Sequence, residues 1–339
     1  MSEKIKIAQY WAASCGGCDV ALLDIDERIL GVAEMADIVF WPIAMDAKFK
    51  DVEALPDGYI TATLFNGAIR NSENEYVAKL LRQKSQIMVA FGSCACFGGI
   101  PGLANVTYAN EILDYVYKKI PSMYNPDGTV PVPEYEAPEG ELDLPELYDT
   151  VKTLEDVVDV DYFMPGCPPT VDRINQFLDA VEAHVKEGAD LPPKGAVIAS
   201  EKTLCDECPR RKEYRKIDKI YMPHEIPPED LDPDLCLLDQ GIICMGPATR
   251  AGCGAKCIQV NQPCRGCFGP TRAALDHGGS MLSALASVFK IDESETKLSE
   301  EQIIELMSQI RDPLGTFYEF TMPVGLIKRA VKEKRREKV

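Results

Sequence analysis

The chain has 339 residues, of which 46% are apolar, and it carries a formal net charge of −18. This length and apolar content allow two compact domains with hydrophobic cores. A chain this acidic repels nucleic-acid phosphates and anionic membranes, so neither is an expected partner. No apolar run is long enough to span a bilayer and no leader-like pattern opens the chain, so we expect a cytoplasmic protein.

The first half of the chain predicts an open α/β sheet. Apolar, β-rich segments that predict strands lie at residues 4–10, 36–43, 59–65, 86–91 and 160–164. Helical spacing follows the first strand, and Ser72 with Glu75 predicts a capping box for a second helix. A further helix at residues 170–186 should end at Gly188. The alternation predicts a flavodoxin-like, doubly wound parallel sheet.

We expect three regions along the chain. Residues 1–190 would form the flavodoxin-like domain, with an irregular surface loop at 126–145 that is rich in Pro, Glu and Asp. Residues 191–290 contain eight cysteines and little apolar periodicity, so this irregular domain should fold around metal. Residues 291–339 would form a C-terminal helix and a tail.

The chain contains 13 cysteines. In a reducing compartment these would not form a disulfide framework, so metal ligands, catalytic thiols or small buried residues are the alternatives. Cys96 is predicted to be a small buried residue, and the other twelve fall into clusters.

The first cluster consists of Cys15, Cys18, Cys94 and Cys167, each of which follows a predicted strand. Because the carboxyl ends of parallel strands meet at one edge of a sheet, these four thiols should lie together there. Four cysteines are what a cubane iron–sulfur cluster needs. A flavin phosphate loop or a redox-active C-x-x-C pair is less suitable, because thiols also occupy the two equivalent loops.

The other eight cysteines suffice for two further four-thiol sites. Chain order suggests Cys205, Cys208, Cys236 and Cys244 as one set and Cys253, Cys257, Cys264 and Cys267 as the other, although spacing alone does not fix this partition. Two structural zinc ions are the main alternative, which would make the chain a scaffold without a redox role. Iron–sulfur clusters are favoured because a redox cluster at the first site needs a path for electrons.

Five short motifs surround these cysteines: Cys15-Gly16-Gly17-Cys18, Gly92-Ser93-Cys94-Ala95, Gly166-Cys167-Pro168-Pro169, Cys244-Met245-Gly246-Pro247 and Pro263-Cys264-Arg265-Gly266-Cys267. They resemble motifs of [NiFe] hydrogenase small subunits. The resemblance extends over about residues 4–270 and is closest to the cytoplasmic group 3 enzymes of the F420-non-reducing, or methyl-viologen-reducing, type.

The resemblance implies three [4Fe-4S] clusters that relay electrons from hydrogen oxidation on a large subunit to an acceptor subunit. We call their ligands the proximal set (Cys15, Cys18, Cys94 and Cys167), the medial set (Cys253, Cys257, Cys264 and Cys267) and the distal set (Cys205, Cys208, Cys236 and Cys244). The implied acceptor is linked to heterodisulfide reductase or to an NAD-linked diaphorase, through a [2Fe-2S] or flavin-containing subunit.

The sequence departs from the family pattern at three places. Cys205 stands where respiratory members have His, and Cys257 offers a fourth ligand where their medial cluster commonly has three. Asn66-Gly67 replaces a Glu-Gly pair, which would remove a carboxylate near the proximal set. The paired C-x-x-C motifs that hold nickel on the large subunit are not found, so we expect no catalytic residue on this chain.

Other residues are predicted to have structural roles. Of the histidines His184, His224 and His277, His184 is interpreted as a surface or core residue, and a ligand role for His224 near the distal set is disfavoured; Trp11 and Trp41 are interpreted as core or interface aromatics. Asp19 and Asp24 should complement the dipole at the start of the first helix. The related complex I cluster subunit is disfavoured, because it has adjacent cysteines at its first site and lacks the C-terminal eight.

Overall fold

The computed structural model describes residues 4–227, 229–289 and 299–329. The strands are β1 Ile5–Trp11, β2 Ala36–Phe40, β3 Ile60–Asn66, β4 Ile69–Asn71, β5 Ser85–Phe91, β6 Glu134–Ala137, β7 Gly140–Asp143, β8 Leu147–Lys152, β9 Tyr162–Met164 and β10 Ala196–Val197. The α-helices are α1 Gly17–Leu23, α2 Arg28–Met35, α3 Phe49–Glu53, α4 Ser72–Lys84, α5 Ser93–Phe97, α6 Ala109–Asp114, α7 Val171–Glu187, α8 Lys256–Gln259, α9 His277–Val288, α10 Glu300–Ser308 and α11 Pro313–Phe317.

Six strands form one sheet in the order β10-β9-β5-β3-β1-β2, and every neighbouring pair is parallel. Read from the other edge, the order β2-β1-β3-β5-β9 is that of a doubly wound, flavodoxin-like sheet. This confirms the predicted fold class. Two hydrophobic clusters cover its faces. One includes Phe65 and Leu81 from the side of α4, and the other includes Phe91 and Ile174 from the side of α7.

Most predicted strands and helices agree with the observed ones to within about two residues, but β2 ends at Phe40, three residues before its predicted end, and the helical region after β1 is divided into α1 and α2. Helix α4 is capped by Asn71, whose side chain accepts a hydrogen bond from the Asn74 amide at 2.8 Å, and not by Ser72. Asp24 lies at the C-terminal end of α1, so its predicted role at the helix start is wrong. The predicted irregular loop contains an exposed hairpin, β6–β7.

The C-terminal part has a hydrophobic core of its own, which the sequence did not predict. Apolar side chains from the cysteine-rich turns pack against α9 and α11, including Leu237, Met245, Met281, Leu285 and Phe317. Ser299 caps α10 through a capping box with Gln302. The predicted tail from residue 330 onward, and residues 290–298 before α10, lie outside the described residues. In the part of the chain that is described, no helix has the length and apolarity to cross a membrane.

Candidate metal centre

The proximal set gathers at the carboxyl edge of the sheet, where β1, β5 and β9 end. The loops after β5 and β9 are joined by two main-chain hydrogen bonds, from the Gly92 amide to the Met164 carbonyl and from the Ser93 amide to the Gly166 carbonyl, both 2.8 Å. Gly92 has a φ of +89° and lies against the Cys18 sulfur, so that a Cβ atom there would collide with the thiol. A glycine is therefore required for the loop to approach the sulfur this closely.

The electrostatics of the proximal thiols indicate that all four are neighbours. Burial raises the pKa of Cys18 far above its ordinary value, and Cys94, Cys167 and Cys15 add to the rise. The pKa of Cys94 is raised to about 12, mainly by burial and to a smaller extent by the neighbouring Cys167 and Cys15. Thiolates in such a place are unfavourable without a compensating positive charge, which bound iron would supply.

Asp19 lies beside this set and is only 3% exposed. Its carboxylate accepts hydrogen bonds from Trp41 Nε1 at 2.8 Å, from Asn66 Nδ2 at 2.5 Å and from Gln9 Nε2 at 3.3 Å. Asp19 therefore does more than complement the helix dipole as predicted. Its buried carboxylate links β1, the residue after β2 and the end of β3. Although Asn66 replaces a carboxylate of the family pattern, Asp19 places one directly next to it. Trp41 packs in the core as predicted.

The distal set surrounds a cavity of about 320 Å³, which all four of its thiols line. Burial raises the pKa of Cys244 to about 12, although amide groups of Gly246 and Cys264 point at its sulfur. The charged residues Arg210, Lys212 and Asp239 line the same cavity. Burial also raises the pKa of Cys205, and the Lys212 ammonium opposes that rise.

The medial set lies between the other two. Burial raises the pKa of Cys267 to about 12, with contributions from Cys253, Cys167 and Cys257. Burial also raises the pKa of Cys264 well above its ordinary value, and the neighbouring thiols are Cys244 and Cys267. The medial thiols therefore adjoin the proximal set through Cys167 and the distal set through Cys244.

Two hydrogen bonds mark these junctions. The Ser93 hydroxyl donates to the Cys267 carbonyl at 2.5 Å, which ties a proximal loop to a medial one. The Cys264 amide donates to the Cys244 sulfur at 3.4 Å, which ties a medial ligand candidate to a distal one. Within the described residues, no three His, Cys, Asp or Glu side chains are placed to hold a single metal ion. The thiols thus do not converge on one point.

The remaining cysteine and the histidines have structural contacts. Cys96 is buried, and its thiol donates to the Ala90 carbonyl at 3.3 Å. His277 is buried between the hydroxyls of Thr249 at 3.0 Å and Thr321 at 3.2 Å. His184 contacts the Ala189 carbonyl at 2.7 Å at the end of α7, and His224 lies in a short 3₁₀ turn.

Sequence reasoning missed the charged neighbours of the thiols. Arg210 and Lys212 closely follow Cys208 in the run Arg210-Arg211-Lys212, and a basic run beside a C-x-x-C pair in so acidic a chain could have drawn attention to them. Asp19 directly follows Cys18, but nothing in the sequence indicates its partners. Ser93 lies within a predicted motif, which likewise does not indicate the bonds of its hydroxyl.

Comparisons with known proteins give a consistent assignment. A family model described as "NADH ubiquinone oxidoreductase, 20 Kd subunit" matches residues 15–181, which include the proximal set but none of the other eight cysteines. The iron-sulfur subunit of the F420-non-reducing hydrogenase of Archaeoglobus profundus is 39% identical over 95% of this chain and 98% of its own length.

Two further relatives are also hydrogenase subunits. The corresponding F420-non-reducing hydrogenase subunit of Methanothermobacter marburgensis is 39% identical over 98% of this chain and 99% of its own length. The NAD-reducing hydrogenase HoxS subunit delta of Cupriavidus necator is 29% identical over 52% of this chain and 78% of its own length. The nearly full-length matches extend over the C-terminal region that the family model leaves out. The chain belongs to the small subunits of [NiFe] hydrogenases, among those of the F420-non-reducing type, and is therefore one subunit of an oxidoreductase.

Proposed function

We propose that this subunit holds three [4Fe-4S] clusters, which take up and release single electrons and so link hydrogen oxidation at the NiFe centre of a large subunit to an acceptor subunit. Cys15, Cys18, Cys94 and Cys167 would hold the proximal cluster, and Cys253, Cys257, Cys264 and Cys267 the medial one. Cys205, Cys208, Cys236 and Cys244 would hold the distal one.

The observation that carries this proposal is the contiguity of the three sets. The Ser93 hydroxyl beside Cys94 donates to the Cys267 carbonyl at 2.5 Å, and the Cys264 amide donates to the Cys244 sulfur at 3.4 Å, so that no set is isolated from the next. A scaffold that needed metal only for stability would have no reason to place its sites in contact. Contiguous sites are what electron transfer requires, and the order of the contacts is proximal, medial, distal.

The chain's own groups support cluster binding in three ways. Cysteine thiolates supply four ligands to each site, as cubane clusters need. Amide groups point at several of the sulfurs, for example Gly17 N–H at Cys15 Sγ across 3.4 Å, and such hydrogen bonds stabilise negative charge on sulfur. Most of the twelve thiols are buried or partly buried in this chain alone, which limits access of water; the exposed ones are Cys15, Cys167 and Cys257.

The partition of the C-terminal cysteines follows the same contacts. Cys205, Cys208, Cys236 and Cys244 share one cavity. In the other set, burial is the main reason for the raised pKa of Cys267, and Cys253 and Cys257 contribute to it, while Cys267 in turn contributes to the raised pKa of Cys264. Residues 1–190 would then carry the proximal cluster and residues 191–290 the other two, followed by the helix and tail of 291–339.

The partners follow from the chemistry and from the names of relatives. A large subunit must supply the NiFe centre, because this family's small subunits carry only the electron-transfer groups. The acceptor would be a [2Fe-2S] or flavin-containing subunit, linked to heterodisulfide reductase or, as the name of the Cupriavidus relative suggests, to NAD. We place this complex in the cytoplasm.

Anaerobic purification of the native complex tests the proposal. Three cubane clusters predict about twelve iron and about twelve acid-labile sulfide per copy of this chain, and a brown colour that bleaches on reduction. Nickel should co-purify with a second, large chain. A colourless subunit that contains about two zinc ions and no sulfide would instead establish the zinc scaffold and overturn the proposal.

A further inference from the structure

The formal charges next to the three cysteine sets differ in sign. Around the distal set, the cavity is lined by two cationic side chains, Arg210 and Lys212, and by one carboxylate, Asp239, among the described residues. Both oxygens of Asp239 accept main-chain amides, from Glu213 at 2.7 Å and from Arg215 at 3.1 Å. The charged lining of this cavity therefore carries a net positive charge.

Arg210 is held in place by hydrogen bonds, but its Nε donor is unpaired. The side chain is 6% exposed, and its guanidinium donates to the carbonyls of Leu235 at 2.7 Å and Asp232 at 2.9 Å, and to Asn261 Oδ1 at 2.6 Å. Its buried Nε atom has no hydrogen-bond partner among the described residues. A buried unpaired donor is unfavourable, so an acceptor in the adjoining cavity is expected. Cluster sulfide or cysteine sulfur would be such an acceptor.

Lys212 is the second cation at this site. It lines the cavity together with Cys205. Lys212 is an exposed residue on the loop that follows Cys208, so its ammonium lies between the distal set and solvent. It is thus placed to interact directly with a distal ligand.

The proximal and medial sets have carboxylates as neighbours. Asp19, which directly follows Cys18, is a buried carboxylate beside the proximal set. Beside the medial set, Glu207 accepts the Gly252 amide at 3.0 Å, and its Oε1 lies 3.7 Å from Cys253 Sγ.

Cations near the medial set are neutralised by carboxylates. Lys256 is 3.4 Å from Asp172, and Arg265 is 2.9 Å from Glu319. No comparable salt bridge is found for Arg210 or Lys212 within the described part of the chain. Among the charged side chains that line the distal cavity or adjoin the other two sets, the balance thus changes from negative at the proximal and medial sets to positive at the distal cavity.

We infer that this charge arrangement makes the distal cluster the most easily reduced of the three, with Lys212 and Arg210 setting its potential. The inference rests on the proposed function. One-electron reduction adds a negative charge within the cavity, and the two cations stabilise it, whereas Asp19 and Glu207 destabilise the same change at their sites. Electrons that enter from the large subunit are therefore drawn toward the acceptor side, which favours hydrogen oxidation as the direction of turnover.

Redox titration followed by EPR tests this inference in the anaerobically purified complex. The wild-type distal cluster should have the highest midpoint potential of the three. Lys212→Gln should lower that potential by about 59 mV, which corresponds to a tenfold decrease in the equilibrium constant for one-electron reduction. The other two potentials should be unchanged. Glu207→Gln should raise the medial potential more than the distal one, because its carboxylate lies beside Cys253.

Arg215→Gln is the matched control, because it removes an exposed cation from the same loop that is paired with Glu213 and does not line the cavity. It should leave all three potentials unchanged. Because Arg210→Gln could unfold the loop that Arg210 holds, Arg210→Lys is the second variant. It keeps the positive charge but removes the unpaired Nε donor, so the distal potential should fall by less than in Lys212→Gln while iron content is retained. Three clusters with an unchanged distal potential in Lys212→Gln, or a distal cluster that is not the highest, would overturn the inference alone. Absence of clusters in the wild type would overturn the proposed function.

Discussion

The hydroxyl of Ser93 donates a hydrogen bond to the main-chain carbonyl of Cys267 across 2.5 Å, although 174 residues separate the two in sequence. Ser93 also accepts a hydrogen bond from the Gly166 amide at 3.3 Å, and it is only 1% exposed. One small side chain therefore joins the Cys94 loop, the Cys167 loop and the turn that carries the last medial cysteine. The relative position of the proximal and medial sets depends on it.

Ser93→Ala should weaken this junction without removing any thiol. The substitution leaves a buried carbonyl and a buried amide without their partner, which should lower the free energy of unfolding by about 1–3 kcal/mol. Both clusters should still assemble, and the magnetic interaction between them in EPR spectra of the reduced protein should become weaker or heterogeneous.

Ser308→Ala is the control for this variant, because among the described residues the Ser308 hydroxyl bonds only the nearby Glu305 carbonyl, at 2.6 Å, at an exposed position of α10. Stability and spectra should match those of the wild type. If Ser93→Ala also matched the wild type in both measurements, the junction would not depend on this hydroxyl.

Cys257→Ser tests the least buried member of the medial set. Cys257 is exposed in this chain, and it is the proposed fourth ligand of the medial cluster. Loss of this thiolate should convert the medial cluster to a three-iron form with its own EPR signal, and iron should fall by about one per chain. The proximal and distal signals should be retained.

Cys96→Ala provides the comparison for Cys257→Ser. Because the Cys96 thiol is buried and bonds only the Ala90 carbonyl among the described contacts, its removal should leave the iron content at about twelve and cost about 1 kcal/mol of stability. An unchanged spectrum in Cys257→Ser would show that Cys257 is not a ligand. Loss of iron in Cys96→Ala would show that Cys96 is one.

The sheet and the gathering of thiols at its edge could be predicted from the sequence. Strands β1, β5 and β9 are apolar and β-rich, and cysteines follow each within a few residues, so parallel topology alone brings Cys15, Cys94 and Cys167 to one edge. Both the periodicity and the spacing that this inference needs are local properties of the sequence.

The charged surroundings of the thiols could not be predicted in this way. Asp19 is held by residues 10, 22 and 47 positions away, so its burial depends on how β1, β3 and the segment after β2 come together. Likewise, the C-terminal core forms between cysteine-rich turns and helices that are distant in sequence, such as α9. Contacts of this range have no periodic pattern in the sequence, so periodicity alone does not reveal a core there.

His277 predicts a specific acid sensitivity. Burial lowers the pKa of His277 from 6.5 to about 4, so the folded protein holds the ring neutral while the unfolded chain protonates it. Since the unfolded state binds more protons between these two values, stability is lost as the pH falls through this window. The loss should reach about 2 kcal/mol at pH 5 and about 3 kcal/mol below pH 4.

His277→Gln isolates this contribution. The variant should be less stable than the wild type at pH 7.5, because the bonds to Thr249 and Thr321 are imperfectly replaced, but the gap should narrow at pH 5. Anaerobic thermal melts at the two pH values measure it. A gap that is the same at both values would mean that the ring is not held neutral by burial.

Gly92→Ala tests how closely the β5 loop approaches the proximal thiols. The residue has a φ of +89°, which an alanine adopts only with strain, and the added Cβ would meet the Cys18 sulfur directly. Because the sulfur belongs to a ligand candidate, the collision should displace it and remove the proximal cluster, a loss of about four iron per chain, while the medial and distal EPR signals remain.

Gly31→Ala is the matched control: Gly31 lies within α2 with nothing within 4 Å of the added atom, so the same substitution should keep all the iron and raise stability by up to about 1 kcal/mol. Retention of all three signals in Gly92→Ala would show that Cys18 can move aside and that the glycine is not what permits ligation.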